Sequence, residues 1–154
     1  MKGTERTDVS MGSKTDIAFG LFNGGFNCAQ SVIGPFCSVE DGEAQLALRL
    51  ASGFGGGMRS GEVCGAVTGA VMVIGSREGQ CRADDLAAKR KCSELTSKFM
   101  EEYAKRRGTV LCRELLGYDV RDLEAAAKFA GNKGEVCEDA IRTAVLLLEE
   151  MGIE

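Results

Sequence analysis

The sequence contains no histidine and no tryptophan, and only one proline, in 154 residues. The absence of histidine excludes nucleophile activation by a Ser-His-Asp or Cys-His arrangement and every metal site with a histidine ligand. Long apolar runs are also missing, and the first sixteen residues lack the apolar core of a secretory signal. We therefore expect a cytoplasmic protein without membrane insertion. Its chemistry must depend on sulfur, carboxylate, lysine, arginine, tyrosine or a cofactor.

The charge composition argues against a nucleic-acid partner. The formal net charge is −4, so no broad positive field is available to displace the counterions of a nucleic acid. Apolar residues make up 44% and charged residues 27%, which is typical of a globular domain. The length fits one domain. We expect a single helical domain at 15–154, preceded by a flexible N-terminal segment at 1–14.

The pattern of glycines and apolar residues predicts an all-α bundle of about six or seven helices. No segment alternates long enough to be a convincing strand. The predicted helices include a long one at 83–107 that ends at Gly108, and a short one at 110–116. A further helix is expected to begin at Asp119 or Asp122, to end at about Ala130 and to be followed by a turn. The last helix is predicted at 135–151.

The segment at 62–74, EVCGAVTGAVMVI, is apolar around nearly its whole circumference, which predicts a helix at the centre of the bundle. Gly65 and Gly69 lie four residues apart on one face of this helix. Glycines at that spacing allow a neighbouring helix to approach closely. We therefore expect these glycines to be accessory to whatever site the helix carries.

The glycine-rich stretch GFGGGMRSG at 53–61 precedes the central helix. One interpretation is a tight turn that brings the central helix close to its neighbours. Another is an anion-binding loop in which backbone amides and Arg59 hold a phosphate or carboxylate. Neither GxGxxG nor GxxxxGK can be written through the stretch, which argues against nucleotide binding.

The sequence has seven cysteines, and no two have the spacing of a CxxC motif. Four of them are expected in the first turn of a helix, where free amides and the helix dipole stabilise a thiolate. The alternative is that these cysteines are small apolar residues of a helical core. These four positions are Cys28, which follows the possible Asn27 cap and its capping-box partner Gln30, and Cys64, Cys112 and Cys137.

The CGAVTG motif at 64–69, the glycine stretch before it, and Cys28, Cys112 and Cys137 together resemble the C_GCAxxG_C_C family of redox-active proteins. The resemblance covers about 16–151. It implies that Cys28, Cys64, Cys112 and Cys137 act as a set. The cysteines outside the family pattern are expected to be bystanders; they are Cys37, Cys81 and Cys92.

Three functions remain open for this set. The first is thiol-disulfide chemistry with an unidentified redox partner or small molecule, in which Cys64 attacks, one of the other three resolves, and Arg59 or Arg113 stabilises the thiolate. Here Gly65 would leave room for a substrate. The second is an all-cysteine metal site that holds zinc or an iron–sulfur cluster. The third is a non-catalytic helical binding or scaffold module, which can be a homodimer.

Overall fold

The structure, a computed structural model, describes residues 13–37 and 42–154. Within these residues the chain forms seven α-helices and no strand, which confirms the predicted all-α fold. Most of the predicted N-terminal segment, residues 1–12, lies outside the described residues. The helices are α1 (Lys14–Asn23), α2 (Cys28–Ile33), α3 (Gly42–Ala51), α4 (Gly65–Glu78), α5 (Leu86–Arg107), α6 (Cys112–Leu116) and α7 (Leu123–Glu150).

Side-chain caps set where several of these helices begin. Asn27 and Gln30 form the predicted capping box at the start of α2. The Gln30 backbone N–H donates to Asn27 Oδ1, and the Asn27 backbone N–H donates to Gln30 Oε1. Asp122, one of the two predicted starts, caps α7 by accepting from the Ala125 amide. Gly108 ends α5 in a left-handed conformation, as predicted.

Helix α4 lies at the centre of the bundle and packs against α2, α5 and α7. It contacts α2 so closely that a Cβ at Gly69 would lie 2.6 Å from the Ala29 carbonyl oxygen. The predicted close approach through Gly65 and Gly69 is therefore confirmed. The helix begins at Gly65 rather than at residue 62, because Val63 is extended and forms an isolated antiparallel bridge with Leu111.

The predicted turn between the last two helices is wrong. Helix α7 runs without a break from Leu123 to Glu150 and includes both Gly131 and Gly134. A glycine in a helix interior costs only about 1 kcal/mol relative to alanine, and no proline interrupts the backbone hydrogen bonds here. A continuous helix therefore replaces the two that the glycines suggested. No helix of the described residues has both the length and the apolar character needed to cross a membrane.

Candidate functional site

Cys28, Cys64, Cys112 and Cys137 all line one cavity of about 350 Å³. Cys28 is the first residue of α2 and Cys112 the first residue of α6, as the helix-start prediction required. Cys64 immediately precedes α4. Cys137 lies in the middle of α7, so the prediction that it begins a helix is wrong. The four cysteines, separated by 35, 47 and 24 intervening residues along the chain, are brought together by tertiary packing.

A short backbone bridge holds the segments of Cys64 and Cys112 together. The Cys64 amide donates to the Val110 carbonyl oxygen at 2.7 Å, and the Cys112 amide donates to the Glu62 carbonyl oxygen at 2.7 Å. These two hydrogen bonds flank the Val63–Leu111 bridge. They place the starts of α4 and α6 side by side, and both thiols line the same cavity.

The glycine-rich stretch forms one wall of the cavity and has an unusual backbone. Gly56, Gly57, Met58 and Arg59 all have left-handed conformations, with φ between 56° and 64°. A Cβ at Gly57 would lie 2.5 Å from the Glu62 amide nitrogen, so this position requires glycine. Such a conformation costs a residue other than glycine roughly 1–2 kcal/mol. The strained segment carries Arg59 to the cavity wall.

The charges at the cavity are all positive. Among the described residues that line it, the only charged side chains are Arg59 and Lys133. Arg113, the alternative cation of the sequence analysis, instead donates to the Gly61 carbonyl oxygen and pairs with Glu62 at 3.2 Å. The rest of the wall is mostly apolar and includes Phe22, Phe26, Leu115, Leu116, Val136 and Ala140.

The Cys28 and Cys137 thiols lie close enough to shift each other's pKa, and the two shifts have opposite directions. The hydrogen bond to Cys137 is the main cause that raises the pKa of Cys28 well above its ordinary value, and burial adds to it. The same bond lowers the pKa of Cys137, against the effect of burial and with a smaller contribution from Lys133. These shifts favour the thiolate at Cys137 and the neutral thiol at Cys28.

Cys64 does not have the acidity that a helix start suggests. The Ala66 and Val67 amides donate to its sulfur and lower its pKa, but burial outweighs them and the net pKa is raised. Burial likewise raises the pKa of Cys112 to about 11. The two thiols are thus neutral near pH 7, because desolvation of a buried thiolate exceeds the help of the backbone amides.

Lys133 of α7 lines the cavity and Tyr103 of α5 lies near Cys64, and no sequence pattern points to either residue. The Tyr103 side chain is fully buried and lies near enough to Cys64 for the two groups to raise or lower each other's pKa. Its hydroxyl makes no hydrogen bond of ordinary geometry within the described part of the chain. Lys133 precedes Cys137 by four residues, a spacing that shares a helix face only once α7 is known to be continuous.

The other three cysteines lie away from the cavity. Cys81 is exposed, whereas Cys37 and Cys92 are half-buried and pack against the core. All seven cysteines lie within the described residues, and no disulfide joins them. Among residues 13–37 and 42–154, no three cysteine or carboxylate side chains converge in the arrangement of a metal site.

Comparison with known proteins identifies a family for this chain. A family profile described as "Putative redox-active protein (C_GCAxxG_C_C)" matches residues 26–151, most of the chain. The chain belongs to this family. All four cavity cysteines of this C_GCAxxG_C_C protein lie within the matched residues. No curated protein and no solved structure matches the chain.

Proposed function

We propose that this C_GCAxxG_C_C protein carries out thiol-disulfide exchange through Cys28 and Cys137. The observation that supports this most directly is that both cysteines line one cavity and lie close enough to shift each other's pKa, upward at Cys28 and downward at Cys137. A thiolate is the nucleophile in disulfide exchange, and the second thiol must be within reach to form the product disulfide. The lowered pKa of Cys137 favours the attacking thiolate, and Cys28 is the neighbouring second thiol.

The exchange consumes a disulfide R–S–S–R and releases two thiols. The Cys137 thiolate attacks one sulfur of the substrate, forms a mixed disulfide and expels the first RS⁻, which takes up a proton. Cys28 then loses its proton, attacks the Cys137 sulfur and expels the second RS⁻. The protein is oxidised to a Cys28–Cys137 disulfide and the substrate is reduced to two RSH molecules. A dithiol donor reverses the process and regenerates the reduced pair.

Cys64 and Cys112 have a different role in this proposal from the one that the sequence predicted. Cys64 was expected to attack first, but its raised pKa favours the neutral thiol. We assign the first attack to Cys137 instead. The neutral Cys64 and Cys112 thiols then complete the wall beside the reacting pair and are available for exchange with it.

The test begins with protein purified without oxygen and analysed for metal. The reduced protein is then treated with hydroxyethyl disulfide, and thiols are counted before and after. We expect the reversible loss of two thiols and a crosslinked peptide that joins Cys28 to Cys137. Cys28→Ser and Cys137→Ser should abolish this crosslink, whereas the matched variant Cys92→Ser, outside the cavity, should retain it.

Two results would contradict the proposal in different ways. Stoichiometric iron with a visible charge-transfer band, or stoichiometric zinc, would favour the all-cysteine metal site. If the protein is metal-free and none of its thiols reacts with the disulfide, the non-catalytic binding or scaffold module is the remaining function.

A further inference from the structure

We propose that the disulfide substrate is a small molecule that carries negative charge, bound in the cavity with its anionic group against Arg59 and Lys133. This inference rests on the proposed function, because it names the substrate class of the same thiol pair. Its basis is the combination, in one cavity, of the reacting thiols, an apolar wall and two cations.

The size of the cavity favours a small molecule. A volume of about 350 Å³ lies at the lower end of the range in which proteins bind small ligands. Cys28, Cys64 and Cys137 are each less than a tenth exposed, so a disulfide on the surface of a folded protein would not reach their sulfur atoms easily. A compact disulfide with short arms can enter the cavity and place its sulfur beside Cys137.

The charges favour an anion. Neither Arg59 nor Lys133 forms an ion pair with another residue of the described chain, and no carboxylate from it lines the cavity. This differs from the molecule as a whole, which has a net charge of −4. A local positive wall on an acidic protein attracts a small anion at the site and repels cations there, an effect that can change association rates by tenfold or more.

The glycine-rich stretch explains how Arg59 reaches this position. Its left-handed backbone continues from Gly56 through Arg59. The Arg59 guanidinium lies beside Gly56, with Nη1 3.9 Å from where a Cβ of that residue would be. Gly55 and Gly56 also line the cavity, so the absence of side chains keeps the wall open next to the guanidinium. An arginine here can bind a carboxylate with two parallel hydrogen bonds.

The experiment compares three disulfides with two-carbon arms and different charge: 3,3′-dithiodipropionate (anionic), hydroxyethyl disulfide (neutral) and cystamine (cationic). The rate at which each oxidises the Cys28–Cys137 pair is divided by its rate with free 2-mercaptoethanol, which corrects for intrinsic reactivity. We expect the corrected rate to be at least about tenfold higher for the anionic than for the cationic compound. This ratio should fall as salt is added.

Arg59→Gln tests whether the preference arises in the cavity. Lys133 contributes to the lowered pKa of Cys137, whereas Arg59 is not among the causes of that shift, so Arg59 is the cleaner position. We expect Arg59→Gln to reduce the anionic-to-cationic ratio by about threefold or more, and Arg59→Lys to retain most of it. Arg82→Gln is the matched control, because it removes the same charge from an exposed residue outside the cavity.

The possible failures are distinguishable. If none of the three compounds oxidises the Cys28–Cys137 pair, the proposed function falls together with the inference. If all three oxidise it at equal corrected rates, the function stands and the inference is overturned. An anionic preference that Arg59→Gln and Arg82→Gln reduce equally would also overturn it, since the preference would then come from overall charge. The salt dependence of the unmodified protein gives a readout that needs no variant.

Discussion

At the scale of single residues, the chemistry of each cysteine follows from its neighbours rather than from its place in a helix. Cys64 lies at a helix start and receives two backbone amides, yet burial raises its pKa. Cys137 lies in mid-helix and has a lowered pKa, because Cys28 donates a hydrogen bond to its sulfur. A direct donor to the charged form thus outweighs the helix position.

The Cys28–Cys137 hydrogen bond predicts a difference between two substitutions at one position. Cys28→Ala removes the donor, so the pKa of Cys137 should rise and its alkylation at pH 7 should slow by about tenfold. Cys28→Ser retains a hydroxyl donor and should keep the pKa of Cys137 low. The measurement is the pH profile of iodoacetamide labelling at Cys137, followed by peptide mass spectrometry.

Cys92→Ala provides the control for this prediction, because Cys92 does not line the cavity. The Cys92→Ala variant should show the same pH profile of iodoacetamide labelling at Cys137 as the unmodified protein. Identical profiles for Cys28→Ala, Cys28→Ser and the control would show that the hydrogen bond does not set the acidity of Cys137.

At the scale of elements, the contact between α2 and α4 brings Cys28 and Cys64 to the same cavity. This contact depends on small residues, since a Cβ at Gly65 would lie 3.0 Å from the Phe54 carbonyl oxygen and 3.2 Å from the Cys28 Cβ. The site and the packing of the central helix therefore use the same glycines. The continuity of α7 also shapes the site. It places Lys133 four residues before Cys137 on the same helix, and both residues line the cavity.

Two alanine substitutions in α4 should have opposite effects on stability. Gly69→Ala places a methyl group 2.6 Å from the Ala29 carbonyl oxygen, so α2 and α4 must separate and the free energy of unfolding should fall by about 1–3 kcal/mol. Gly75→Ala meets nothing within 4 Å and should raise it by about 0.5–1 kcal/mol through helix propensity. Urea unfolding under reducing conditions measures both values.

Gly75→Ala is the matched control, since it makes the same chemical change in the same helix. If both variants stabilise the protein, the close approach of α2 and α4 is incorrect. Loss of stability in Gly69→Ala should also change the reactivity of Cys28, which lies one residue before the displaced Ala29.

At the scale of the whole molecule, one core buries most of α4 and the inner faces of α2 and α7, and it encloses the thiols on one side. Burial of a thiol favours its neutral form, so the fold and the protonation of the site are coupled. The pKa of Cys112 is about 11 in the folded protein, against an ordinary value of 9.0. The unfolded chain therefore loses this proton first as the pH rises.

This coupling predicts how stability changes in alkaline solution. The contribution of Cys112 is fully present below pH 9 and is lost as the pH rises toward about 11. Cys112→Ser removes the titrating group, so the reduced variant should lose less stability across this range than the unmodified protein, by on the order of 1 kcal/mol. Urea unfolding at pH 8, 9, 10 and 11 with excess reductant provides the comparison.

Cys81→Ser is the control, because Cys81 is exposed and outside the cavity. Its stability should decline with pH as the unmodified protein's does, since both retain Cys112. A decline in Cys112→Ser equal to that of the control would contradict the coupling.

Much of the fold could be predicted from the sequence because the signals are local. The capping box of Asn27 and Gln30, the stop at Gly108 and the small-residue face of α4 depend on neighbours within a few residues. The break predicted after Ala130 was wrong because glycine lowers helix propensity without forbidding a helix. The apolar stripe of α7 packs against the core and supplies the stabilisation that helix propensity alone does not provide.

The residues available for chemistry follow from the sequence: seven thiols, no histidine, and four cysteines in a family pattern. Their surroundings follow from the tertiary packing, which lets Cys28 and Cys137 shift each other's pKa, buries Cys64 and brings Arg59 and Lys133 to the same cavity. The physical reason is that acidity and charge at a site depend on desolvation and on contacts between residues far apart in sequence, which no local pattern specifies.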